Sequence, residues 1–147
     1  MEYLYESIVL HYLTHEGRAF VSPQFSVKGK SGRVWSTPDF VLLDFDKREV
    51  QIVEVSVDAN PRKLLKKVAQ RENQWIVPLK QQFATISKEF DEWPIIVRIF
   101  VRGGHVQRFK SLSTSEFPVR AEKIEDVLLR WSWPWGRKPD GKDRGSS

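Results

Sequence analysis

An aspartate and a glutamate stand at equal distances from the middle of one short turn, and that spacing raises metal chemistry. In TPDFVLLDFDKREVQIVEVSV, residues 37–57, two apolar, β-branched runs flank the polar residues Asp46, Lys47 and Arg48, the pattern of an antiparallel hairpin. A turn centred between Asp46 and Lys47 places Asp39 directly opposite Glu54, and a four-residue loop about the same centre keeps that register. Opposed Cβ atoms lie roughly 4.5–5.5 Å apart, so the two carboxylates could share one hard cation. The face they share also carries Val41, Leu43, Phe45, Val50 and Ile52, beside which unpaired acids are costly to bury. A bound ion, or exposure in a cleft at the strand ends, removes the conflict. The plain alternative is that the acids are solvated or paired with Lys or Arg.

A second polar set lies downstream. Lys63, Lys67, Gln70 and Gln74 follow one another at spacings of four, three and four, one stripe of a helix, with Leu64, Leu65, Val68 and Trp75 on the other side. The same stripe also suits a solvated basic face.

The elements that must position these residues follow from periodicity and punctuation. Residues 2–15 read as a helix with Tyr5, Ile8, Val9, Tyr12 and Leu13 on one face and Gly17 placed to end it. Ala19 to Lys28 reads as a strand, Gly29 to Gly32 as a turn, and a further strand starts at Arg33 and runs into the hairpin, with Pro38 implying a bend or an edge. Asn60 and Pro61 form a cap and first-turn pair for a helix through Trp75, which Pro78 ends or follows with another. Beyond Pro94, IIVRIFV and HVQRFKSL flank Gly103 and Gly104 as a hairpin, and a last helix is expected over roughly Ala121 to Trp131.

Thr37-Pro38-Asp39-Phe40, the hydrophobic hairpin and Glu54-Val55-Ser56 together resemble the PD-(D/E)XK nuclease superfamily, in which PD begins one strand and (D/E)-x-K ends the next. The likeness covers about residues 2–75. It implies an α/β, restriction-endonuclease-like αβββαβ core with a mixed central sheet flanked by helices, in one domain over 1–135. It implies Asp39 as central ligand of Mg2+ or Mn2+, Glu54 as second ligand, the Val55 carbonyl as a third, and Glu6 on the first helix as a further acid. The implied activity is metal-dependent endonucleolytic hydrolysis of DNA phosphodiesters, alone, as a homodimer, or as a subunit of a mobile-element, repair or restriction machine. The motif lysine is Ser56 here, and a neutral hydroxyl cannot replace it. Some relatives place the lysine or a glutamine on the following helix, which makes Lys63, Lys67 and Gln70 the substitutes. The alternative is a degenerate nuclease fold that binds nucleic acid or a partner protein without cutting, and a third reading is a generic α/β binding domain with a coincidental acid pair.

Composition fits this picture. The chain of 147 residues suits one core, and its net charge of +5 favours polyanionic partners. Lys28, Lys30 and Arg33 around the first turn are the phosphate-contact candidates. Cysteine is absent, which excludes disulfides, thiolate zinc sites and cysteine nucleophiles. No run of eighteen apolar residues or basic leader occurs, so a soluble, cytoplasmic protein with no membrane partner is the expectation. The final residues, 136–147, are rich in glycine and charge and read as a disordered basic tail, beside which Trp133 and Trp135 could contact nucleic acid or a partner, while Trp75, Trp93 and Trp131 read as structural. His11, His15 and His105 lack ligand spacing with the acids, His105 being expected exposed at a turn. No P-loop, dinucleotide-binding or nucleophile-elbow motif is present.

Overall fold

The computed structural model describes residues 2–15, 17–29 and 31–131. Trp133, Trp135, the tail and Lys30 lie outside them.

The protein is α/β, with a five-stranded mixed sheet flanked by helices. Strands β1 (Ala19–Pro23), β4 (Phe40–Asp44), β5 (Glu49–Val55), β6 (Ile95–Val101) and β7 (Val119–Lys123) lie in that spatial order. β1 to β4 and β4 to β5 are antiparallel; β5 to β6 and β6 to β7 are parallel. β2 (Val27–Lys28) and β3 (Val34–Ser36) form a separate two-stranded hairpin. The helices are α1 (Glu2–Thr14), α2 (Arg62–Ala69), α3 (Val77–Ala84), α4 (Lys88–Asp91), α5 (Val106–Lys110) and α6 (Ile124–Trp131).

Two apolar layers cover the sheet, and strand alternation decides which residue joins which. Val41, Val50 and Ile52 face a layer containing Val68 of α2, Trp75, and Leu79 and Phe83 of α3. Phe40, Leu42, Val53 and Val55 face Ile8, Val9 and Leu13 of α1 with Ile124 and Val127 of α6. Every residue of β5 and β6 is therefore buried, as expected of central strands covered on both sides. The polar residues among them are paired. Arg98 bonds Glu122 and the Gln51 Oε1 (3.1 Å), Gln51 donates to Glu49 (3.0 Å), and Arg120 holds both Glu49 oxygens at 2.7 and 3.0 Å.

Several sequence expectations require correction. The strand expected over residues 19–28 breaks after Pro23, where Gln24 takes a positive φ of 52° and the chain leaves the sheet. The strand beginning near Arg33 breaks at Thr37–Asp39, where Pro38 cannot donate a ladder bond. Asn60 does not cap α2: Pro61 occupies the cap position, with no side-chain cap bond. The helix does not run unbroken to Trp75. It gives way to a π-helical turn over Glu72–Ile76 before α3, with Pro78 in the first turn of α3. Gly103 and Gly104 do not make a hairpin turn. They open a 3-10 turn (Gly103–His105) leading into α5, because Val106 and Phe109, three apart, bury one helical face. That crossover makes β6 and β7 parallel. Residues Ala121 to Lys123 belong to β7, so the last helix starts only at Ile124.

The π-helical turn has an identifiable cause. Pro78 has no N–H to offer the carbonyl of Gln74, four residues earlier, and the Trp35 Nε1 of β3 donates to that carbonyl instead, at 3.0 Å. Beside it, Ser36 Oγ accepts from Gln74 Nε2 (3.2 Å) and from Trp75 Nε1 (3.1 Å). This knot ties the end of β3, three residues before Asp39, to the helical layer. Ser36→Ala leaves the buried indole N–H and the Gln74 amide without their acceptor; we expect a loss of about 1–3 kcal/mol, read as a lower urea midpoint at unchanged m-value.

Candidate functional site

The register of the β4–β5 hairpin decides the site. Phe40 pairs with Val53 and Asp44 with Glu49, so Asp39, one residue before β4, faces Glu54 near the end of β5. The loop over residues 45–48 is held by Asp44 Oδ1, which accepts from the backbone N–H groups of Asp46 and Lys47, both at 3.0 Å. At the far end the two acids are cross-bonded through the backbone. Val55 N–H donates to Asp39 Oδ2 at 2.8 Å, and Asp39 N–H donates to Glu54 Oε2 at 3.2 Å.

Glu6 completes the group. It comes from α1, which packs on one face of the sheet, yet its carboxyl shares a hydrogen bond with Asp39 at the strand end. Hydrogen bonding to Asp39, then burial, then the Asp39 charge push Glu6 up to about 7. Asp39 also rises to about 7, with burial as the largest cause; the Glu6 bond works against the rise, and the Glu54 charge and bond work with it. Glu54 is raised chiefly by burial, against which its bonds to Asp39 and the Lys67 ammonium act. All three carboxyls are thus held above their ordinary range, by burial and by one another's company. Three carboxyls from three elements thus meet at one point, and the charge of Lys67 acts on one of them, Glu54.

This donor set is all hard oxygen, the chemistry that suits Mg2+ or Mn2+ rather than a soft metal. The carboxyls are turned toward one another and toward backbone N–H groups, and among the described residues no three His, Asp or Glu side chains are arranged as a ready cage. A cation would enter by displacing the shared protons.

The remaining candidates divide. Lys67 acts on Glu54 from α2, whereas Lys63 and Gln70 are exposed and, among the described residues, neither side chain is joined to the trio by a hydrogen bond or ion pair. Gln74 lies beyond the break in the helix and is committed to Ser36. Val55 meets Asp39 through its N–H. Ser56 is buried; its N–H bonds Phe100 O (3.0 Å), and its Oγ accepts from Asp58 N–H (3.3 Å), so it shapes the exit from β5. Lys28 and Arg33 are exposed on the β2–β3 hairpin. His15 Nδ1 lies 2.7 Å from the His11 carbonyl, and His105 is half-buried rather than exposed, with Nε2 2.9 Å from the Ala59 carbonyl. Sequence reasoning missed the Ser36–Gln74–Trp75 knot; the available signal was Pro78 four residues after Gln74. Among the described residues no helix is long and apolar enough to cross a membrane. No protein-family model, curated protein or solved structure matches the chain.

Glu6 and Asp39 hold protons in the folded state at about 7, against ordinary values of 4.5 and 3.8. Between those limits the folded protein binds more protons than the unfolded chain, so metal-free stability falls as pH rises from about 4 through 7 and then levels. Thermal melts in a chelating buffer should show this decline. Asp39→Asn should flatten it and melt above the wild type at pH 8; a wild-type melting curve that rises across the window contradicts these raised values.

Proposed function

We propose that the chain is a divalent-metal-dependent nuclease with a restriction-endonuclease-like core, cutting phosphodiester bonds of DNA within a strand. The observation that carries the reading is the meeting of Glu6, Asp39 and Glu54 from three separate elements, acids raised by burial and by one another, with the charge of Lys67 acting on Glu54. Structural carboxylates in cores are normally paired with cations or backbone donors in full; a trio that must share protons is a site waiting for positive charge. The TPD–hairpin–EVS pattern and the mixed sheet behind it agree with the superfamily resemblance.

Bound among these carboxylates, Mg2+ or Mn2+ would polarise the scissile phosphate and lower the pKa of a water. Asp39 is held for that task by the Val55 N–H on Oδ2. Glu54 is the second anionic ligand and Glu6 the third acid, which loses its proton when positive charge arrives. Lys67 stands where it can offset negative charge growing on phosphate, the work of the lysine missing at Ser56. Operation within a larger DNA-processing complex or as a homodimer belongs to the same proposal.

One observation favours a second reading, binding without cutting: Ser56 spends its hydroxyl on the Asp58 backbone. The two readings part in one experiment. Supercoiled plasmid with Mn2+ or Mg2+ should be nicked or linearised by the wild type, with Asp39→Ala reducing the rate at least about 1,000-fold and Lys67→Ala about 100- to 1,000-fold. Lys63→Ala should stay within a few-fold of wild type. Saturating Mn2+, near 100 times its Kd, should raise the wild-type melting temperature by about 5–10 °C and leave Asp39→Ala unmoved. DNA retention with no cleavage in either metal selects the second reading.

A further inference from the structure

The β2–β3 hairpin presents an aromatic ring in a setting that core packing does not explain. Trp35 is 57 % exposed and its neighbour Val34 59 %, side by side on a hairpin only two and three residues to a strand. The hairpin is nevertheless rigidly seated. Val27 is fully buried, Lys28 N–H donates to Gln82 Oε1 (3.0 Å), and Gln82 Nε2 returns a bond to Ser26 O (3.2 Å). The indole is itself held by its Nε1 bond to Gln74 O. An exposed indole whose orientation is already set loses little freedom on binding a flat partner.

Charge identifies the partner. Residues 24–36 contain Lys28, Lys30 and Arg33 and no acid. On the other side of the carboxyl cluster α2 carries exposed Arg62, Lys63, Lys66 and Lys67. Ser36 is three residues from Asp39, and Lys67 acts on Glu54, so hairpin and helix flank the cluster. An exposed ring on an acid-free, basic hairpin three residues of chain from Asp39 suits a polyanion that also offers flat faces. Intact duplex hides its base faces, and phosphates alone would call only for the cations.

We infer that Trp35 stacks on an unpaired base of a single-stranded or locally unpaired polynucleotide, whose backbone passes from the β2–β3 hairpin to the Glu6–Asp39–Glu54 cluster. This deepens the nuclease reading and rests on it for the direction of the strand, but binding is measured apart from cutting. The probes are a roughly 16-nucleotide oligothymidylate, the matching oligouridylate and a blunt duplex of the same length, titrated by fluorescence anisotropy in EDTA. Trp35→Ala should weaken the single strands about 5- to 150-fold and the duplex less than about 2-fold. Trp35→Phe, which keeps a ring but loses the Nε1 bond that orients it, should bind single strands several-fold tighter than Trp35→Leu, which is apolar without a ring and should match the Ala loss. If Trp35→Ala fails to fold, the Phe and Leu pair decides alone. The DNA and RNA arms tell which sugar the site accepts. Equal loss on duplex and single strand, or a Leu variant as tight as Phe, overturns the inference. Cleavage that persists beside Trp35-independent binding sinks this inference only, and Trp35-dependent binding without any cleavage sinks the nuclease reading only.

Discussion

One pairing register governs this protein. Because side chains alternate with period two, a one-residue slip of β4 against β5 would carry Asp39 off the face of Glu54 and send Val41 and Leu43 into the opposite layer. The apolar cost of such a slip is far larger than anything the two carboxyls exert on each other, so the core holds the acids together in spite of their repulsion. The backbone then limits the damage: the Val55 and Asp39 N–H groups each give one acid a donor. What remains uncompensated is settled by protons, and that residue of unsatisfied charge is where a cation would act.

The same logic explains why three elements converge at this end of the sheet. β5 and β6 run parallel and are covered on both faces, so polar function has room only beyond their ends. Asp39 arrives there because Pro38 breaks the strand; Glu6 arrives because α1 crosses the sheet with its apolar face down and its first turns beyond the strand end. Opposite them the helical layer is interrupted by Pro78, and the interruption is used: the freed Gln74 carbonyl and the Ser36 hydroxyl collect the Trp35, Gln74 and Trp75 donors into one joint. Two prolines thus shape the backbone here: Pro38 ends the strand before Asp39, and Pro78, in the first turn of α3, leaves the Gln74 carbonyl to the Trp35 indole.

How much of this could be read from the chain depends on whether the deciding force was local. The Asp39–Glu54 pairing was legible, since turn position and hydrophobic alternation determine a hairpin register by themselves. α1, with its heptad-like stripe, was legible to within a residue. The Gly103-Gly104 pair was misleading because turn chemistry there is ambiguous, and the choice between returning as a strand and crossing over as a helix was made by Val106 and Phe109 packing on a sheet face formed elsewhere. The π-helical turn was out of reach for a similar reason. Its stabilising donors come from Trp35 and Ser36, some forty residues away in sequence, and no window of local propensity contains them. Those distant bonds also shorten α2, which separates Lys67 from the Gln74 that simple helical spacing aligned with it.

On the proposed nuclease reading Ser56 stands where the motif has lysine, and the geometry around it bears on that difference. A lysine there would stand at the exit of β5, where Ser56 is buried and its N–H is already spent on β6. Burying an ammonium is expensive unless the acids beside it stay ionised, yet these acids are raised toward neutrality by burial and by one another. Lys67 is exposed on α2, so its charge acts on Glu54 while its aliphatic stem is free to reach. Under the nuclease reading the arrangement would trade a fixed cation for a movable one. A movable cation is suited to meeting charge that appears only when a phosphate is being attacked.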